Sequence, residues 1–197
     1  MKILIAIFAT TILSIITFSC SKDDTPAPAP VAPILAPLQD PLQGYLTASG
    51  FIQKKDVLVN RSDFEFGYSF IPLVNGKMTA IIVSLPDSRS GLRVTIWNKA
   101  TATAIRTENI DVPVANVDLI KQITALDLVK DKEYFLTINS NDWYERKKTD
   151  VTDVVYPFTV GDIKITASGY TVGTSQTMPT IFPVNFYSGD CSFKFQK

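Results

Sequence analysis

The residues best suited to chemistry lie between Asn139 and Asp153 (NSNDWYERKKTDVTD), where Trp143 and Tyr144 are adjacent aromatics among Asn141, Asp142 and Arg146. A sugar ring has an apolar face and a rim of hydroxyls. An aromatic ring for the face, with amide, carboxylate and guanidinium groups for the rim, reads both. The first expectation is therefore a ligand-binding loop built from Trp143, Tyr144, Asn141, Asp142 and Arg146. The competing expectation is structural: Trp143 packs over a sheet edge, and Glu145 to Lys148 form a solvated turn. Asn139, Asn141, Asp142, Asp150 and Asp153 carry oxygens of the kind calcium takes, but no D-x-D-x-D-G run orders them, and no metal site is expected.

Other chemistries are excluded or unsupported. The chain has no histidine, which removes Ser-His-Asp and Cys-His catalysis, histidine-ligated zinc and histidine pH switching. There is no G-x-S-x-G, phosphate loop or dinucleotide fingerprint. A glycosidase-type carboxylate pair stays open, because many Asp/Glu pairs can meet in space. No catalytic residue, enzyme activity or cofactor is expected. Lysine plus arginine equal aspartate plus glutamate at 19 each, so nothing points to nucleic acid as a partner.

The elements that must position these residues read as strands. Short segments rich in Val, Ile, Thr, Phe and Tyr follow one another from Gly44 onward: Lys77–Leu85, Leu92–Asn98, Ala104–Val112, Lys132–Asn139, Asp162–Ala167 and Ser192–Gln196. Turns separate them, and this spacing predicts an all-β fold, an antiparallel β-sandwich of jelly-roll or immunoglobulin-like type. Val117–Val129 is ambiguous, since Leu119, Ile120, Ile123 and Leu126 also line one face of a helix; its β-branched residues favour a strand. In the strand of Trp97, Arg93, Thr95 and Trp97 share the more polar face, which makes Trp97 either an exposed platform or a ring covered by a neighbouring segment. Cys191 alternates with Phe193 and Phe195 and is expected to be an inert thiol facing the core.

The N-terminus carries an address. Lys2 precedes an uncharged apolar run from Ile3 to Phe18, which suits a cleaved signal rather than a membrane span. The run ends at Thr17-Phe18-Ser19-Cys20, which resembles the lipobox of bacterial lipoproteins. Ser21-Lys22-Asp23-Asp24 resembles the lysine-plus-acidic export signature of Bacteroidota-type surface lipoproteins. The resemblance implies acylation of Cys20 and a lipid-anchored protein of the outer membrane, facing the cell surface. Thr25–Leu42 holds six of the twelve prolines and predicts an extended tether of roughly 50 Å. The expected organisation is a signal peptide over 1–19, lipidated cysteine and tether over 20–42, and one sandwich over 43–197.

Phe66–Trp143 contains, in order, Gly67-Tyr68-Ser69-Phe70-Ile71-Pro72, Asn75-Gly76 opening an apolar strand, Ile96-Trp97 closing another, and Lys130-Asp131-Lys132-Glu133-Tyr134 before an asparagine-rich loop. This series resembles a family of secreted bacterial β-sandwich modules, a domain family of unknown function. The resemblance implies binding rather than chemistry. The functional expectation is a membrane-anchored binding module for glycan or another surface ligand; its alternative is a structural or adhesin subunit packing against an envelope protein.

Overall fold

The structure is a computed structural model that describes residues 37–197; Cys20, the signal segment and most of the expected tether lie outside the described residues. The elements run α1 (Pro41–Ser49), β1 (Lys54–Leu58), β2 (Phe64–Pro72), β3 (Gly76–Val83), β4 (Arg89–Asn98), β5 (Thr103–Val112), β6 (Leu119–Leu128), β7 (Tyr134–Ser140), β8 (Trp143–Lys147), β9 (Phe158–Val160), β10 (Ile163–Val172), β11 (Phe186–Ser188) and β12 (Cys191–Gln196). The ambiguous Val117–Val129 stretch is strand β6.

Alternation along β2 sets the layering. Phe64, Phe66, Tyr68 and Phe70 turn to one side, and Glu65, Gly67 and Ser69 to the other. β2 lies inside a six-stranded sheet of order β5-β4-β7-β2-β10-β9, and two three-stranded sheets, β12-β3-β6 and β1-β8-β11, face it. Every pairing is antiparallel. Aromatic contacts bind the layers: Phe70 meets Phe193 at 4.6 Å between ring centroids, and Phe66 meets Trp143 at 5.3 Å. The architecture is an all-β antiparallel sandwich, as the strand spacing predicts. Cys191 is buried in the last strand, where desolvation drives its thiol pKa far up and leaves no thiolate for chemistry.

One chain segment joins the two smaller sheets. β11 pairs with β8 as far as Ser188 opposite Glu145, and Gly189 N–H donates to the Tyr144 carbonyl at 3.1 Å. The chain then changes partner: Ser84 N–H donates to the Asp190 carbonyl at 2.9 Å, and Cys191 opposes Val83. Gly189 makes the crossing at φ +85, with the Phe66 ring where a Cβ would stand.

The expected boundary after Leu42 falls inside α1, which the sequence reading did not foresee. Asp40 caps this helix by accepting from Leu42 N–H at 3.3 Å, Pro41 occupies its first turn, and Gly50 closes it in the left-handed region. Gln39 already pairs with Phe195, with both backbone bonds at 2.9 Å. High proline density suggested a continuous tether, whereas the Asp-Pro step is a helix start. The helix delivers Tyr45, fully buried, against Tyr187 at 5.4 Å and Tyr68 at 6.0 Å.

Candidate functional site: an aromatic recess beside Trp143

The segment expected as an open loop is mostly strand. β7 ends at Ser140, Asn141 and Asp142 turn the chain, and β8 starts at Trp143. Ser140 Oγ donates to the Asp142 carbonyl at 2.8 Å and accepts from Asp142 N–H at 3.1 Å, which tightens the turn. β8 then pairs with β1 on one edge and β11 on the other. A strand sends neighbours to opposite faces, so Trp143 and Tyr144 do not form one platform. Both are buried, at 7% and 1% exposure.

The polar members of the expected site are engaged within the protein. Tyr144 OH bonds to Asn116 Oδ1 at 2.5 Å, while Lys55 Nζ sits 4.4 Å from its ring centre. Asp142 Oδ1 accepts from Asn60 N–H at 2.6 Å. Asn141 accepts through its side chain from Arg89 and through its carbonyl from Arg61 N–H. Arg146 grips buried Asp190 with two bonds, the Nε–Oδ1 one at 3.0 Å. Burial pushes the Asp190 carboxyl above its usual range, and Arg146 pulls against that shift. Of the five expected residues, Trp143 and Arg146 border open spaces, but separate ones: Arg146, paired with Asp190, lines a small polar cleft of about 100 Å³, and Trp143 a larger aromatic one.

The aromatic space is a recess of about 180 Å³ lined by Phe64, Phe66, Trp143, Tyr170, Phe186, Glu145 and Ser188. Register within each sheet and the packing of one sheet on the other explain the assembly. Tyr170 opposes Phe66 across β10 and β2, and Ser188 opposes Glu145 across β11 and β8. The rings form an unbroken wall: Phe66 to Trp143 at 5.3 Å, Trp143 to Phe64 at 5.1 Å and 65°, Phe64 to Tyr170 at 5.9 Å and 65°, Tyr170 to Phe186 at 6.1 Å and 35°. Edge-to-face and tilted contacts at these distances stabilise aromatic clusters. The Trp143 indole N–H is buried without a hydrogen-bond partner. Glu145 bonds to Lys147 Nζ at 2.5 Å, and Lys147 also reaches Asp56 at 3.5 Å. A single six-membered ring is the scale such a space admits, since a cavity of about 150 Å³ takes benzene. Phe64, Tyr170 and Phe186 carry no sequence signal as a site, because they lie far apart along the chain and meet through strand pairing together with the packing of one sheet on the other. Glu145, expected in a solvated turn, is instead on strand β8 and lines the recess.

A second cluster occupies the opposite face of the six-stranded sheet. Glu65 is fully buried there, and its carboxylate accepts from Arg93 Nη2 at 2.7 Å and Thr137 Oγ1 at 2.5 Å. Trp97 donates its indole N–H to Thr137 Oγ1 at 2.9 Å and is covered, at 4% exposure. Residues 173–185 cross this face: Asn139 Nδ2 donates to the Gly173 carbonyl at 2.9 Å, and Gln176 Nε2 donates to Thr107 Oγ1 at 2.7 Å. Desolvation raises the Glu65 carboxyl pKa despite its donors, Thr137 first and Arg93 next. The alternation Glu65, Gly67, Ser69 against Phe64, Phe66, Tyr68 is a sequence trace of this covered polar face. Most of its groups satisfy one another, although Arg93 Nε is buried without a hydrogen-bond partner, and the cluster ties the sheet to the segment that covers it.

A wider depression of about 690 Å³ beside Asn75, Lys77, Asp127 and Lys197 is an open saddle between strand ends, without an aromatic side chain in its lining. Among the described residues, no group of three His, Cys, Asp or Glu is placed to hold a metal ion, and no helix is long and apolar enough to cross a membrane. Fold and site together define an antiparallel β-sandwich with a ring-sized aromatic recess between its sheets. Neither a protein-family model nor a curated protein matches the chain.

Proposed function

We propose that the protein is a non-catalytic binding module of the cell envelope, anchored in the outer membrane through acylated Cys20 and displayed at the cell surface. The recess receives a ring-sized group of a surface ligand, with glycans the first class to test. The observation that carries this reading is the wall of five aromatic rings around an open space between the two sheets. The lipobox resemblance at Cys20 supplies the anchor. Tethering many copies to one membrane turns weak single-site contacts into strong collective attachment.

The experiment is retention of the full-length protein, in detergent, on a panel of immobilised polysaccharides beside Tyr170→Ala and Phe186→Ala. Both rings are half-buried, so these variants keep more of the core than loss of Trp143 would. Retention that both folded variants lose supports the reading. Absence of retention on every glycan rejects glycans as the ligand class, and retention unchanged in both variants moves the site elsewhere.

The assembly reading has its own support in the covering segment, where Ile181, Phe182 and Val184 stand exposed near one another at 46%, 45% and 39%. Such a patch suits packing against another envelope protein. Cross-linking on intact cells that captures a partner through this segment, with the recess variants unaffected, would favour it.

A further inference from the structure

We infer that the group the recess takes is an alkylated ammonium, of the trimethylammonium kind. The inference rests on the reading of the recess as a binding site and names the chemistry of its ligand. Each ring face carries negative electrostatic potential, and a cation held against several such faces gains from all of them, most where water is excluded. Here Phe64, Phe66, Trp143, Tyr170 and Phe186 wall one space, and the charged side chain lining it is a carboxylate, Glu145.

What the lining lacks points the same way. No lysine, arginine, asparagine or glutamine lines the recess, and the Trp143 indole N–H is covered. A sugar ring seated deep in the recess meets Glu145, Ser188 and the Tyr170 hydroxyl as its nearest polar groups, fewer than its hydroxyls require. Buried hydroxyls without partners are costly. A trimethylammonium group presents no hydrogen-bond donor. Its charge is spread over methyl groups that pack on ring faces, and the space of about 180 Å³ is of the right order for it.

The charge balance around Glu145 permits the exchange. Lys147 holds Glu145 at 2.5 Å and also reaches Asp56, which in turn pairs with Lys54 at 3.1 Å. When Glu145 turns toward an incoming cation, Lys147 keeps Asp56 as its partner. Glu145 thus adds charge complementarity, while the rings supply most of the attraction.

The test is titration of the full-length protein, in a detergent without choline headgroups, with choline, its uncharged isostere 3,3-dimethylbutan-1-ol, and glucose. Binding is read by calorimetry and by tryptophan fluorescence. The expected result is saturable choline binding at least about tenfold tighter than the isostere. Phe186→Ala and Tyr170→Ala should each weaken it about tenfold, and Glu145→Gln by a smaller factor. Near-UV circular dichroism confirms that the variants remain folded. Phosphocholine and a short-chain phosphatidylcholine below its micelle concentration distinguish the source. Equal affinity supports a polymer-borne or free headgroup, and a gain from the tails supports a lipid. Isostere binding as tight as choline overturns the cation while leaving an apolar binding site. Preference for glucose also overturns it and leaves the glycan reading standing. Failure of all three probes overturns the cation, and the glycan reading then stands or falls on the polysaccharide panel.

Discussion

Glu65 is a full carboxylate placed under a covering segment, with Arg93 and Thr137 as donors, and this has a thermodynamic signature. Its native pKa lies above the unfolded value because desolvation outweighs the donors. As pH rises, the unfolded chain releases this proton first, so the native state binds more protons across the window between the two pKa values. Stability from this group is therefore fully present below the ordinary glutamate range and is lost as pH climbs through the native pKa. Glu65→Gln should remove that slope, and melting curves of both proteins from about pH 4 upward provide the check. If the difference between the two stays constant with pH, the raised carboxyl is wrong. Legibility at this scale was uneven. Trp143 was visible because tryptophan among polar residues attracts notice, yet its neighbour Tyr144 was assigned to the same site when strand alternation places it on the other face. Phe64, Tyr170 and Phe186 give no signal as a group, since Phe64 stands over 100 positions from the other two and the three meet only once β2 and β10 pair and the sheet carrying β11 packs against them.

Strands and turns account for what composition predicts well. The β-branched content of β6 overrides its helical periodicity, and Cys191, Phe193 and Phe195 share the core face of β12. The element that composition hides is α1: six prolines in eighteen residues read as a tether, and the helix start formed by Asp40 with Pro41 lies inside that run. The partner change at Gly189 is likewise silent in sequence, because a glycine marks a bend without saying which strands meet there. Its requirement is testable. Alanine at φ +85 is strained, and its Cβ would overlap Phe66, one of the rings of the recess. Gly189→Ala should destabilise the fold by about 2–4 kcal/mol, from left-handed strain plus overpacking, measured by urea denaturation. A loss below about 0.5 kcal/mol, within the range of ordinary surface substitutions, would mean that the crossing relaxes freely.

At the scale of the whole molecule, the sandwich is a frame that keeps the recess at the opening between two layers while the N-terminal side leads toward the proposed anchor. The address makes a prediction independent of any ligand. Cys20→Ala should abolish incorporation of labelled palmitate and shift the protein from the membrane fraction to the soluble one, since a single weak attachment cannot replace acyl chains. Protease added to intact cells should remove the wild-type domain; protection until lysis would place it on the inner side of the membrane. The pairing of Gln39 with Phe195 has a mechanical consequence for a protein held this way. Tension transmitted along the chain from an anchored N-terminus enters the fold at Gln39, where two backbone bonds tie it to β12 and the side chain bonds to Asp162. β12 continues through Gly189 into β11, which borders the recess through Phe186 and Ser188. If the proposed anchor and ligand are both engaged, part of the load between them runs along this one continuous stretch of chain, while β2, β8 and β10, which also wall the recess, share the rest. Under flow the hold would then depend on how β11 and β12 yield as well as on the affinity of the site.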